Sequence, residues 1–385
     1  MRFLIIGAGK QGSACALDLL QQPATRSVIL ADKHIGKGVP AFLNPYKGKG
    51  VLELLSFDLS DAAAVKAAMG RVDGVLSAAP YYYNVELARL AVECGVHFAD
   101  LGGNTELVQQ QKQLHAAALA KGVSVVPDCG LAPGMVNILA GEGIKRLDTV
   151  DAVKCYVGGL PQHPEPPLNY MVVYSLEGAL DYYTTPSWIL RGGQPVQVDA
   201  LSELEDVTFP APLGTLEAFH TAGGISTMPF AFAGKVPVME YKTLRYPGHV
   251  AIMRPIRELG LLDNTPIEMN GTGHKLSPRA AFIATVSPKL TKPQGRDLVA
   301  LRVEVTGTRA GAKAGTRWQL VDRYDESRHV SSMMRTTGYS LAITGIMQQD
   351  GRIARGVMVP DECVPAADYV AELARRGVMI QETAL

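Results

Sequence analysis

The chain lacks several features that would each announce a kind of partner. It has no excess of either charge, since 37 Lys and Arg are matched by 37 Asp and Glu in 385 residues. With neither a basic footprint nor an acidic tail, nucleic acid and membrane surfaces are not expected partners. No apolar run approaches the roughly 20 residues of a spanning helix, and the N-terminal apolar run is strand-like with no cleavage signal after it. A mature cytoplasmic protein is therefore expected. Cys15, Cys94, Cys129, Cys155 and Cys363 form no CxxC pair, which excludes a zinc ribbon and fits reduced thiols. Cys15 and Cys94 fall in helical apolar patterns and read as core, whereas Cys129 in PDCGLAPG ends a predicted strand where it could face a ligand. Neither HxxxH nor a paired carboxylate–histidine spacing occurs, so no metal is expected. The absence of internal repeats and low-complexity segments excludes solenoid and disordered classes.

What is present is a globular composition, 47% hydrophobic with a mean hydropathy of +0.08, long enough for two or three domains. The chain opens with MRFLIIGAGKQGSACALDLL, an apolar strand running straight into Gly7-Ala-Gly9-Lys10-Gln11-Gly12 and then a helix. SVILAD follows and ends on Asp32. Strand, glycine motif, helix, strand and acid in one short unit form a dinucleotide fingerprint. Gly7 permits the tight turn, Gly9 lets the backbone approach a diphosphate, and Gly12 lets the helix pack on its strand. Asp32 stands where an acid meets the ribose 2′-hydroxyl and repels a 2′-phosphate, favouring NAD, although Lys33 and His34 weaken that preference.

Alternation then continues: strand LELLSFD, helix DAAAVKAAMG, strand GVLSAAP, helix NVELARLAVECG, strand HFADLG, one long helix TELVQQQKQLHAAALAKG and strand SVVPDCG. This pattern predicts a doubly wound parallel sheet, an α/β Rossmann domain over residues 1–130. Asp32, Asp58, Pro80, Asp100 and Asp128 fall at its strand ends, where ligands collect. Asp58, Ala79, Pro80, Tyr81 and Gly102 accordingly join Gly7, Gly9, Lys10, Gln11, Gly12 and Asp32 as cofactor-binding candidates. Residues 131–335 read as a second, mixed α/β substrate domain on a largely antiparallel sheet, with β-like runs VPVMEYKTLRYPG, AFIATVSP and DLVALRVEVTGT. Residues 336–385 return to helical periodicity and are expected to pack on the first domain.

The segments GAGKQGSA, GVHFADLGG, PDCGLAPGMVNILAG, YVGGLPQHPEPPLNY, YSLEGALDYY, EAFHTAGGISTM, EYKTLRYPGH and ARRGVMIQE carry a resemblance to the saccharopine dehydrogenase-like oxidoreductases, nearest to their lysine 6-dehydrogenase branch. The resemblance implies NAD-linked attack on a C–N bond of lysine or a lysine-derived amine, in a homo-oligomer, dimeric or tetrameric. The patch Asn104-Thr105-Glu106 departs from that branch, where a histidine-containing stretch is expected, and this touches substrate identity. The leading expectation is oxidative deamination of L-lysine at its ε-carbon to allysine, which cyclises to piperideine-6-carboxylate. A saccharopine-type dehydrogenase acting on a secondary amine, and a non-catalytic NAD-binding sensor, are the alternatives.

Oxidation at an amine-bearing carbon needs a neutral amine, a base, and an anchor for the carboxylate. Arg245 is the expected carboxylate anchor, because guanidinium grips a carboxylate through two hydrogen bonds. His249 either joins it or caps the Pro247-Gly248 turn. His220, beside Thr221, reads as a base near neutrality or as a buried structural histidine. Asp100 and Asp128 read as catalytic carboxylates or as acceptors for loop N–H groups. Tyr174 and Glu177 could meet an ammonium group, or simply start a helix. One ring of Tyr81-Tyr82-Tyr83 should wall the cofactor pocket, and Met333-Met334 read as core.

Overall fold

Strands β1 (Arg2–Ile6), β2 (Ser27–Ala31), β3 (Leu52–Leu55), β4 (Gly74–Ser77), β5 (His97–Asp100) and β6 (Ser124–Val126) follow the sequence alternation. In a computed structural model describing residues 1–385 they form one parallel sheet, ordered β3-β2-β1-β4-β5-β6, with Gly356–Val357 added beside β6. Every residue of β4, β5 and β6 is buried, as expected of strands covered by helices on both faces. The strand order reverses between β1 and β4. The turns after these two strands meet at that reversal, where a crevice opens beyond the carboxyl ends. A Cβ on Gly7, whose φ is +98°, would lie 2.7 Å from the Ala78 carbonyl oxygen.

The covering helices are α1 (Lys10–Leu20), α2 (Ala62–Met69), α3 (Asn84–Cys94), α4 (Thr105–Lys112) and α5 (His115–Lys121). The single helix expected over TELVQQQKQLHAAALAKG is thus two. Gln111 is drawn inward near the end of α4, where its amide donates to Asp100 at 2.7 Å. After the break, α5 turns onto the sheet edge, where His115 Nδ1 lies 3.1 Å from the Val357 carbonyl.

Helix α6 (Met135–Lys145) leads into a second, mixed sheet containing β7 (Thr149–Pro161), β8 (Ser187–Arg191), β9 (Gln194–Val198), β10 (Glu205–Phe209), β11 (Gly214–His220) and β12 (Val238–Arg245). The main path runs β10-β11-β12-β7, then the long hairpin Asp297–Arg309/Ala312–Arg323, then Gln381–Ala384. Only β12 and β7 run parallel. Helix α7 (Leu176–Thr184) lies beside this sheet, capped by Ser175 accepting from the Gly178 N–H at 3.2 Å. The run Ala281–Pro288, expected as β-like, lies inside a helix over Pro278–Leu290. Its β-branched residues mislead, whereas Ser277 caps the helix by accepting from the Ala280 N–H and Pro278 occupies the first turn. That pair is a helix-start signal.

Before its last strand joins the second sheet, so that residues 336–385 do not pack on the first domain alone, the chain returns to the first sheet. Helix Ser332–Gln349 crosses it, with Gln348 donating to the carbonyls of Phe98 and Ser124 and Gln349 to that of Asp73. It presses on α1 at Gly338, where a Cβ would lie 2.6 Å from the Gln11 carbonyl and 2.8 Å from Ala14 Cβ. A buried Arg376–Asp18 pair, 2.7 Å apart, ties the C-terminal segment to the same helix. No helix is long and apolar enough to cross a membrane. Because α1 carries the glycine motif at its start, Gly338→Val should destabilise the protein by about 2 kcal/mol through overpacking. It should also weaken dinucleotide binding, as urea unfolding and a cofactor titration would show; unchanged values of both would mean that the contact does not hold α1.

Candidate active site

Two joined cavities, about 330 and 410 Å³, open between the carboxyl ends of the first sheet and one face of the second. They share Tyr81, Gly178, Tyr182 and Ala222. Gln11, Ala79, Pro80, Leu101 and Gly102 line the first from the nucleotide-binding side, and Tyr174, Thr221, Tyr241, Thr243 and Arg245 from the other.

The residues fit a dinucleotide. Gly12 packs so tightly that a Cβ there would lie 1.8 Å from the Gly7 carbonyl oxygen, whereas a Cβ on Gly9 would meet nothing within 4 Å. The space above the start of α1 is therefore open, and α1 has neither a side-chain cap nor an acid in its first turn to compete for its free N–H groups. This is a ready diphosphate site. Gln11 Oε1 is buried without a hydrogen-bond partner, an acceptor left for a bound group. Asp32 holds its turn by accepting from the N–H groups of Ala8 at 2.9 Å and His34 at 2.7 Å. Lys33, the cation beside it, pairs with Asp58 at 3.4 Å. Asp58 also accepts from Ser60 and stands at the outer edge beyond β3, away from both cavities. Lys10 reaches across to the second domain, 3.5 Å from the Val172 carbonyl.

Arg245 is the only cation lining either cavity. It is 3% exposed, and no carboxylate lies within 4.0 Å of it. β12 alternates, so Tyr241, Thr243 and Arg245 share the cleft face. The guanidinium is held from behind: Nε donates to Tyr183 Oη at 3.2 Å, Nη1 donates to the Leu244 carbonyl at 2.9 Å, and its carbon lies 4.9 Å from the centre of the Tyr170 ring. His249 stands one layer further back, its Nδ1 at 3.1 Å from the Leu168 carbonyl and its Nε2 at 3.0 Å from Tyr183 Oη. A carbonyl only accepts, so Nδ1 carries the proton and Nε2 accepts from the tyrosine, which in turn accepts from Arg245. Burial and the neighbouring Arg245 charge push His249 down to about 3, keeping it neutral. Its role is to orient the tyrosine.

Asp100 and Asp128 sit beneath the loop Gly102-Gly103. Asp100 accepts from the Gly102 N–H and the Gln111 amide, both at 2.7 Å, and lines neither cavity. Asp128 lies under the same loop, 3.4 Å from the Gly103 nitrogen, and accepts from Ser226 Oγ at 2.5 Å. Ser226 lines the second cavity. Burial pushes Asp100 up to about 6 and Asp128 to about 7.

His220 is not in the cleft. It pairs with Lys242 across β11 and β12, and Lys242 is out of phase with the cleft residues of β12. Its Nδ1 lies 3.2 Å from the Tyr241 carbonyl, and its Nε2 lies 3.2 Å from Glu203 and 4.0 Å from Glu240. These three side chains bring ligand atoms within 4.8 Å of one another. Each carboxylate already faces a cation, Arg191 on Glu203 and Lys154 on Glu240, while Lys242 pairs with Glu205. The cluster is a charge-balanced network on the far face of the sheet. Thr221, next in sequence, does face the cleft, 2.7 Å from Thr243 through their hydroxyls.

Tyr174 lines the first cavity, and Tyr81 lines both. Glu177 is exposed in the first turn of α7. Cys129 is 1% exposed, with its thiol turned to the Val126 carbonyl. Tyr182, Tyr183, Tyr241, Thr243 and Ser226 were not singled out in the sequence. For Tyr241 and Thr243 the two-residue period leading to Arg245 is the signal that marks them. Met333 lines the cavity as well as the core.

Comparison with known proteins agrees with this architecture. The saccharopine dehydrogenase NADP binding domain matches residues 3–126, and the saccharopine dehydrogenase C-terminal domain matches residues 130–378. Alpha-aminoadipic semialdehyde synthase, mitochondrial, of Mus musculus is 29% identical over 202 residues, 50% of this chain and 21% of that protein. Saccharopine dehydrogenase [NADP(+), L-glutamate-forming] of Pyricularia oryzae is 25% identical over 219 residues, 54% of this chain and 48% of that protein. The chain thus spans half or less of the length of these relatives. Among solved structures, apo saccharopine dehydrogenase (L-Glu forming) of Saccharomyces cerevisiae superposes with a TM-score of 0.80 at 17% identity, covering 100% of this chain and 99% of that one. Homospermidine synthase of Legionella pneumophila, in complex with NAD, gives 0.70 at 12% identity, covering 100% and 91%.

Removing the Tyr183 hydroxyl leaves both Arg245 Nε and His249 Nε2 without their partner. Tyr183→Phe should weaken binding of a carboxylate ligand about tenfold while leaving cofactor affinity unchanged. Calorimetric titration checks this, and equal carboxylate affinity would show that the tyrosine does not position the guanidinium.

Proposed function

This chain belongs to the saccharopine dehydrogenase family of NAD(P)-dependent dehydrogenases, and we propose that it deaminates L-lysine oxidatively at the ε-carbon with NAD. The products are ammonia and allysine, the latter cyclising to piperideine-6-carboxylate. The observation that carries this reading is that Arg245 is the one cation lining the joined cavities and has no carboxylate partner of its own. One buried guanidinium suits a substrate with one carboxylate. Saccharopine brings further carboxylates, and the other arginines are engaged: Arg191 with Glu203, Arg254 with the Leu201 carbonyl, and Arg279 with Asp181. The second cavity is lined by Glu106 and by no cation, and its other acid, Asp181, is already paired with Arg279; a lining with no free cation suits an amine rather than another acid.

The open start of α1 and Asp32 would hold NAD, which would supply the hydride acceptor for the amine-bearing carbon. Arg245 grips the α-carboxylate, so the side chain is directed past Thr243 and Tyr174 toward the loop Gly102-Gly103. The rings of Tyr174, Tyr182 and Tyr241 wall this path and displace water, which strengthens the ion pair. Asp32 supports NAD over NADP, since its carboxylate would repel a 2′-phosphate and Lys33 is paired with Asp58.

The test measures NADH formation with L-lysine, saccharopine and 1,5-diaminopentane, the last being lysine without its carboxylate. Turnover is expected with lysine, and Arg245→Ala should raise its KM about 100-fold. Turnover of saccharopine but not lysine would move the assignment to the secondary-amine reaction. A diamine as good as lysine would remove Arg245 from substrate recognition.

A further inference from the structure

We propose that Ser226 is the group that takes the proton from the substrate's ammonium, passing its own hydroxyl proton to Asp128 behind it. The proposal rests on an amine being the group oxidised, as in the reading above. The hydrogen bond on which it stands joins the two domains: Asp128 follows β6 of the nucleotide-binding sheet, whereas Ser226 lies in the loop after β11, and their oxygens are 2.5 Å apart. Ser226 lines the cavity beside Gly103 and Tyr182, whereas Asp128 is 1% exposed and lines neither cavity.

Both residues sit in the left-handed backbone region, which aspartate tolerates and serine seldom adopts. Asp128 has φ +63° and Ser226 has φ +46°, where glycine is the low-energy choice. A serine kept at such a φ with its hydroxyl 2.5 Å from a buried carboxylate points to a use for the pair. The strain is held by neighbours. Asn137 of α6 donates to the Ile225 carbonyl at 3.1 Å and accepts from the Gly134 N–H at 2.8 Å, fixing the serine loop. A Cβ on Gly102 would lie 1.7 Å from Asp128 Oδ1, so the glycine loop closes directly over the carboxylate.

Other groups in the cleft are poorly suited to the task. Burial pushes the Tyr182 phenol up to about 12 and the Tyr174 and Tyr241 phenols higher than usual. Asp181 pairs with Arg279, Glu106 is exposed at the start of α4, and His220 faces away. Asp128, by contrast, titrates at about 7, raised first by burial and then by Asp100 and Asp361; Cys129 and Tyr182 are its other titratable neighbours, and no cation pairs with it. A base of this strength is matched to work near neutral pH.

The step balances without a further reactant. One ammonium N–H bond breaks as an O–H bond forms at Ser226, and the serine's original proton moves to Asp128 Oδ2. The outcome is a neutral amine and a neutral carboxylic acid. The neutral amine is then the form from which the adjacent carbon could give hydride to bound NAD, the oxidant of the proposed reaction.

The experiment compares pH profiles of the intact enzyme with those of Ser226→Gly, Asp128→Asn and the double variant. Glycine removes the hydroxyl and suits the positive φ, so loss of activity cannot be assigned to added strain. The wild type should show an acid limb near pH 7, active when Asp128 is ionised and falling as it is protonated. Each single change should lower kcat about 100-fold and abolish that limb, with KM and NAD affinity within about twofold. Because the two residues act as a unit, the double variant should be no slower than either single one. The same profiles taken with saccharopine would test the relay even if lysine were not the substrate, since that amine also has to lose a proton. A Ser226→Gly enzyme that keeps both its kcat and its acid limb would overturn the proposal.

Discussion

A guanidinium buried without a carboxylate is a costly arrangement, because removing a charge from water costs several kcal/mol unless it is compensated. Arg245 meets that cost only in part, through Tyr183, the Leu244 carbonyl and the face of Tyr170. The remainder is left for a ligand. The surroundings follow from this constraint. His249 has to be neutral beside a fixed cation, Tyr183 has to point its oxygen at Nε, and Glu217, directly across the strand pair, has to be occupied elsewhere. Its carboxylate accepts from the N–H groups of Gly248 and Val250 instead. Were Glu217 free to turn toward Arg245, the site would neutralise itself.

The cleft exists because two sheets with different logic meet at their functional edges. The parallel sheet delivers an open helix start and a strand-order reversal; the mixed sheet delivers a face patterned Tyr241, Thr243, Arg245. Helix Ser332–Gln349 joins them, since its start is bonded by Asp297 of the second sheet at 2.7 and 2.9 Å while its end is anchored on the first. Domain arrangement and cofactor site therefore share one element, and the contact between Asp128 and Ser226 crosses the same boundary.

The parts legible in the sequence are those set by local physics. Buried parallel strands are short apolar runs, and the glycine motif declares a turn in which no Cβ fits, so the strands and the open helix start of the dinucleotide half were legible, whereas the break between α4 and α5 and the outlying place of Asp58 were not. Arg245 was marked by its chemistry, since a guanidinium grips a carboxylate through two hydrogen bonds, whereas its burial in the cleft came only with the fold. Whether His220 faced the cleft was not legible, since its side of the sheet depends on its pairing with Lys242 in a strand more than twenty residues away. Ser226 carried no signal either: its partner is 98 positions distant, and a serine in a glycine-rich loop looks like any turn residue. The run Ala281–Pro288 failed for another reason, because its β-branched content outweighed a helix cap just upstream of it.

The most direct test of the account is a crystal structure with reduced cofactor and L-lysine bound together. The α-carboxylate should lie on Arg245 with N–O distances of about 2.9 Å, and the ε-nitrogen should point toward the loop Gly102-Gly103 and Ser226. A lysine whose carboxylate is held elsewhere, leaving Arg245 unpaired, would contradict the account at its centre.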